Sequence, residues 1–259
     1  MRMRTCLMSG AAVLALSATS QAAVLFDVDF NDIVVGATPP SVAATPGGTT
    51  TQLSGRAPSS GTSALHAWGQ TGALAGSSFG DGNFLELWDE VTTSNVSNVA
   101  SVKFKLNSAD VVSTTSTDKI VTISWDMIMD DLEGAAGNIF LNFRGGPAVS
   151  GILIKSTGQL RVDNNIVETL AFGQSYSMKV ELNYDTGVVS FWNGDVAPKY
   201  TGSFDTAKSF QQFDASTSTT GQAAFGIDNV KIETFAVPEP ASMALLGLGG
   251  LAMLSSRKR

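Results

Sequence analysis

Short runs in which apolar and polar residues alternate recur along the chain, and this alternation limits the fold more than any other feature. Val24, Phe26, Val28 and Phe30 alternate with Leu25, Asp27 and Asp29, which describes a strand with one face turned to a core. Similar runs lie at Ser63 to Trp68, Asn83 to Trp88, Val99 to Leu106, Lys119 to Met129, Asn138 to Phe143, Gly151 to Lys155, Gln159 to Val162, Ser175 to Tyr184, Val188 to Trp192 and Ala223 to Phe235. None is extended by a helical period. Strands of this number and length predict an all-β fold, a two-sheet antiparallel β-sandwich.

Turn chemistry supports the pattern. Tyr184-Asp185-Thr186-Gly187 separates two of the runs, Asn193-Gly194-Asp195 closes the second, and Ser156-Thr157-Gly158 links a similar pair. Each holds residues that tolerate positive φ, so consecutive hairpins within one sheet are expected. The stretch 38–63, rich in Pro, Gly, Ser and Thr, reads as a long surface loop, and Ser216 to Thr220 as a second. With 43% hydrophobic and 15% charged residues, the chain can bury a sizeable core without disulfides.

Both ends read as processing signals. Arg2 and Arg4, an apolar run from Ala11 to Leu16 and then Ser20-Gln21-Ala22-Ala23 form a secretory signal peptide over 1–23, cut after Ala22 or Ala23. Cys6 is the single cysteine of the chain and leaves with it. At the other end, 237–259, Val237-Pro238-Glu239-Pro240 precedes an apolar run from Ala241 to Leu254 and the basic end Arg257, Lys258, Arg259. Fourteen residues of helix reach about 21 Å, short of a hydrocarbon core of roughly 30 Å. The run therefore reads as a marginal, transient transmembrane helix with its basic end held in the cytoplasm. The two prolines keep the chain before it extended and accessible to a processing enzyme.

Between the ends, residues 24–236 hold 11 Lys or Arg against 22 Asp or Glu, a net charge of −11. Such a domain repels nucleic acid, which is not an expected partner.

The C-terminal order of parts resembles the PEP-CTERM sorting signal of Gram-negative bacteria. The resemblance implies export by the Sec machinery, transient anchoring in the inner membrane, and cutting near Pro238 to Pro240 by an exosortase-type membrane protease. It implies final residence at the cell surface or in the extracellular matrix, linked to exopolysaccharide and biofilm. Within the domain, the run from Tyr176 to Gly194 and the closing Phe225-Gly226-Ile227-Asp228-Asn229-Val230-Lys231-Ile232 resemble strands of concanavalin-like, laminin-G-type jelly rolls. In that jelly roll the first and last strands are neighbours, which would bring Asp27 or Asp29 near Asp228.

Candidate chemistry is sparse. Glu86 and Glu90 would share a strand face about 13 Å apart, too far for the carboxyl pair of a glycosidase. His66 is the one histidine and has no nucleophile at triad spacing, and a chain with so few soft ligands holds no zinc site. The expectation is a non-enzyme, structural or adhesive. The alternatives are a carbohydrate-binding module that recognises exopolysaccharide and, behind it, a polysaccharide hydrolase or lyase. Asp27, Asp29 and Asp228, and a second group of Asp126, Asp130, Asp131 and Glu133, read first as solvated turn acids and alternatively as ligands of a structural Ca2+ ion. Among Trp68, Trp88, Trp125 and Trp192, core packing is the simplest role. Trp192, beside the Asn193-Gly194 turn, is the best candidate for stacking on a sugar.

Overall fold

A computed structural model describes residues 22–31, 49–55, 65–71, 83–89, 100–129, 137–218 and 223–236. The signal segment, the apolar tail, and Glu90, Asp130, Asp131 and Glu133 lie outside these residues. Among the described residues no helix is long and apolar enough to cross a membrane.

The fold is an all-β, two-sheet antiparallel sandwich. Its strands are β1 (Ala23–Val28), β2 (Thr49–Gly55), β3 (Leu65–Thr71), β4 (Asn83–Asp89), β5 (Ala100–Lys105), β6 (Asp118–Met129), β7 (Ile139–Arg144) and β8 (Ala148–Ile154). They continue with β9 (Gln159–Val162), β10 (Asn165–Thr169), β11 (Ser175–Asn183), β12 (Val188–Asn193), β13 (Tyr200–Ser203), β14 (Gln212–Thr217) and β15 (Ala223–Ala236). A 3-10 turn, Ser108–Asp110, lies between β5 and β6. One sheet has eight strands in the order β13-β12-β11-β6-β15-β4-β3, with β1 added on β15. The other has seven, β10-β9-β8-β7-β14-β5-β2.

β15 organises the larger sheet. One side pairs with β6 along its length; on the other, Ala223 to Ile227 pair with β4 and the later residues with β1. The first and last strands are therefore neighbours, with Ala23 opposite Thr234 and Asp27 opposite Lys231. A bulge between Asp228 and Lys231, with Asn229 at φ 49°, changes which residues face inward between the two halves of the strand.

The core is aromatic. Phe213 of β14 stacks on Phe104 of β5 at 5.4 Å and on Phe143 of β7 at 5.2 Å, and meets Trp125 of β6 at 5.0 Å. Phe26 of β1 and Phe30, just beyond its end, reach Phe104 from the other side of the core. Trp125 is thus a core residue, the simplest of the roles expected for it.

Three expectations are corrected. The stretch 38–63 contains β2, an edge strand held by pairing with β5, a partner some fifty residues away that local composition cannot reveal. Ser216 and Thr217 are not loop but the end of β14, paired with β7. The hairpins do not share a sheet: β8–β9 lies in the seven-stranded sheet and β11–β12 in the other. Turn type fixes the local pairing but carries no information on which layer receives it.

Tyr184 opens the β11–β12 turn, in which the Asn183 carboxamide oxygen accepts from the backbone N–H of Asp185 and Thr186. Its ring packs edge-on against Phe204. Its hydroxyl is buried with no hydrogen-bond partner among the described residues, and burial pushes its pKa up. A buried unpaired hydroxyl costs roughly 1–3 kcal/mol. Tyr184→Phe is therefore expected to raise stability by about 1 kcal/mol in denaturant melts, whereas a drop would show that the hydroxyl is satisfied.

Candidate functional site

Register fixes which side chains leave each sheet outward, and the two outer faces carry opposite charge. Among the described residues the outward positions of the eight-stranded sheet hold Asp27, Glu86, Asp126, Glu181, Asp228 and Glu233 against Lys179 and Lys231. On the seven-stranded sheet they hold, among the described residues, Lys103 and Lys105 of β5, Arg144 of β7 and Arg161 of β9 against one carboxylate, Asp214. A domain of net charge −11 thus has one cationic face.

Alternation explains this placement. Val102, Phe104 and Leu106 enter the core, so Lys103 and Lys105 must leave it; Leu141 and Phe143 do the same for Asn142 and Arg144. Asp214 is the one acid at the centre, 4% exposed. Its Oδ2 receives the Arg144 Nε–H at 2.5 Å, and Gln212 Nε2 donates to Oδ1 at 2.9 Å. A buried carboxylate needs such partners, since removing one leaves an uncompensated charge. Asp214 is neutralised by Arg144, and Lys103, Lys105 and Arg161 are the other cations of this face.

Beside these cations runs a less polar row. Ser216, Phe140, Leu153, Arg161 and Ile166 are successive cross-strand neighbours on β14, β7, β8, β9 and β10. Ile166 is 61% exposed. At the usual strand spacing the row spans about 19 Å. Next to it Gly151 stands opposite Asn142, and a Cβ there would meet the Asn142 Oδ1 at 3.1 Å. The missing side chain leaves room beside that carboxamide. Ser150 Oγ and the Gly151 N–H both donate to Asp163, whose pKa is raised chiefly by desolvation. Asp163 and Asn164 both have positive φ and form the two-residue turn that adds β10 to this face.

The residues singled out from the sequence fall elsewhere. Asp27 lies across from Lys231, and burial is the first cause of its raised pKa. Asp29 accepts from the Asn31 N–H. Asp228, 1% exposed, stands opposite Asp126 and accepts from the Asn229 N–H. Both Asp126 oxygens are occupied, one by Ser177 Oγ at 2.6 Å and one by Asn229 Nδ2 at 2.8 Å, so this group locks the bulge. No cluster of three or more His, Cys, Asp or Glu side chains able to hold a metal ion occurs among the described residues.

Trp192 is half-buried on the outer face of the acidic sheet, opposite Lys179, whose ammonium sits 3.9 Å from its ring centroid. A pyranose stacking on that side of the ring would displace the ammonium. Asn193 and Lys199 at the same end both bond Glu168, at 3.0 and 2.7 Å. Glu86 is buried opposite Gly226, and the backbone of His66 pairs with that of Trp88. Ala23 opens β1, with Ala22 just before it. The sorting residues Val237, Pro238, Glu239 and Pro240 and the basic end Arg257, Lys258 and Arg259 lie outside the described residues.

Sequence reasoning missed the cationic face. The alternation of Lys103 and Lys105 with Val102, Phe104 and Leu106 was the available signal.

Residues 236–259 match the family model of the PEP-CTERM protein-sorting motif. No curated protein matches the chain. Among solved structures it is similar to a GH131 beta-glucanase catalytic domain from Podospora anserina, at 14% identity over 81% of this chain and 95% of that one, with a TM-score of 0.49. It is also similar to a sialidase, at 16% identity over 59% of this chain with a TM-score of 0.47, and spans only 15% of that chain. An alginate lyase from Corynebacterium sp. is 11% identical over 57% of this chain and 76% of its own, with a TM-score of 0.46. Similarity at this level assigns no chemistry to the chain.

Proposed function

We propose that this is an exported, non-catalytic surface or matrix protein, sorted by an exosortase-type protease, whose sandwich adheres to anionic exopolysaccharide through the outer face of its seven-stranded sheet. The sorting half of the proposal rests on the motif at 236–259. The binding half is carried by one observation, the gathering of Lys103, Lys105, Arg144 and Arg161 on one face of an otherwise acidic domain. Cations steer a polyanion to that face, while the acidic face repels it and so sets the orientation. Phe140, Leu153 and Ile166 offer apolar contact to sugar rings, and Asn142, Gln159 and Ser216 offer hydrogen bonds. An acidic sugar is preferred over a neutral one because the face supplies fixed charge and lacks a described aromatic platform other than Phe140.

The test uses the processed protein on immobilised polyuronate and on a neutral glucan. Retention on polyuronate that fades as ionic strength passes about 0.15 M, where the Debye length is about 8 Å, is expected. Equal retention on both polymers, or none on either, contradicts the proposal.

A further inference from the structure

The last strand of the fold runs into the sorting motif without a spacer. β15 ends at Ala236, and the matched motif begins at the same residue. The strand is paired to its end: Thr234 lies opposite Ala23 of β1 and Val121 of β6, and beyond it Phe235 pairs with Ile120 and Ala236 with Asp118, both on β6. Thr234 is 3% exposed, and its hydroxyl donates to Asp118 Oδ2 at 3.2 Å. A protease takes its substrate as an extended segment whose backbone groups are unpaired and bond to the enzyme. A cut within Val237 to Pro240 therefore draws on residues 234 to 236, whose backbone is already paired, Thr234 with both neighbours and Phe235 and Ala236 with β6.

We propose that removal of the sorting tail is gated by local opening of the end of β15, residues 234–236, from β1 and β6. The proposal rests on the sorting reading above. Four residues, 237–240, separate Ala236 from the apolar run at Ala241. They reach at most about 14 Å. The four residues thus hold the folded body within about 14 Å of a membrane that holds the tail, and an enzyme that takes up residues before the cut meets the paired strand. The cut itself breaks one backbone amide: the acyl carbon passes to water or an amine, and the new amino terminus leaves with the tail. Strand ends open with much lower free energy than whole domains, and cleavage follows the open population when closing is fast. β1, which starts at Ala23, acts in this scheme as a latch on the distant C-terminal cut.

The test is pulse-chase processing of the full-length chain in a host that carries an exosortase-type protease, read as the mass lost with the tail. A Gly-Ser-Gly-Ser-Gly-Ser insert between Ala236 and Val237 is expected to raise the processing rate at least about tenfold. The double variant Phe235→Cys/Ile120→Cys places a cross-strand disulfide at the strand end, on its outer face, in a mature chain otherwise free of cysteine. Oxidised, it is expected to process at least about tenfold more slowly than wild type, and to recover when reduced. Unchanged rates in the insert and in the oxidised variant overturn the gate while leaving the sorting reading intact. A wild-type chain and an insert chain that both keep their tails overturn the sorting reading and the gate with it.

Discussion

Replacing Phe213 with alanine is expected to destabilise the domain by about 3–5 kcal/mol, the range for a fully buried aromatic ring. The position is central: the ring is stacked on Phe104 and Phe143 and tilted against Trp125 of the opposite sheet. Its removal leaves a void between the layers and loses three ring contacts, each worth roughly 0.5–1.5 kcal/mol beyond area burial. β14 lies between β5 and β7 and cannot shift to fill the gap without breaking both pairings. At roughly 2–4 °C per kcal/mol for a domain of this size, the melting temperature should fall by about 6–20 °C. Phe213→Leu should lose less. A fall of under about 2 °C for alanine would show that the core is not centred on this ring.

The second large effect is expected from reversing charge on the cationic face. Lys103→Glu combined with Arg161→Glu replaces two attractive contacts with two repulsive ones, at about 1 kcal/mol each for exposed charges. Polyuronate affinity should fall on the order of tenfold or more. The ion pair of Asp214 is with Arg144, but Lys103 stands directly opposite Asp214 on β14, so Lys103→Glu also sets like charges across the strand pair and should cost up to about 1 kcal/mol of stability. The matched control, Glu181→Lys on the acidic face, should leave affinity the same or slightly higher. A gain per unit charge from Glu181→Lys as large as the loss per unit charge from the double reversal would mean that net charge, not the face, controls binding.

The strands that read most clearly from the sequence were those whose partners are close along the chain. β11 and β12 are joined by a four-residue turn, and their alternation about Val180, Leu182, Val189 and Phe191 is unbroken. The resemblance to jelly rolls correctly made β1 and β15 neighbours, but the contact is between Asp27 and Lys231, while Asp228 faces Asp126. The bulge at Asn229 shifts the register there, and nothing local in the sequence announces it. β14 was missed because Asp214 stands in its middle, and a buried acid is legible only with Arg144, seventy residues earlier, beside it. β10 was missed although Asp163-Asn164 is a workable two-residue turn for positive φ.

The cationic face was hidden for a related reason. Its residues come from β5, β7 and β9, with β14 inserted between the first two, so their proximity depends on strand order within the seven-stranded sheet. Net charge averages two faces of opposite sign and reports neither. The acidity of the whole chain pointed away from polyanions, while the arrangement of its few cations supports one.

The most direct measurement of the central claim is an amide chemical-shift map of the processed protein titrated with a soluble polyuronate. The account predicts that the largest shifts fall on β5, β7 and β9 around Lys103, Asn142, Arg144 and Arg161, and that they vanish at high salt. Shifts concentrated instead around Lys179 and Trp192, or spread evenly over both sheets, would contradict it.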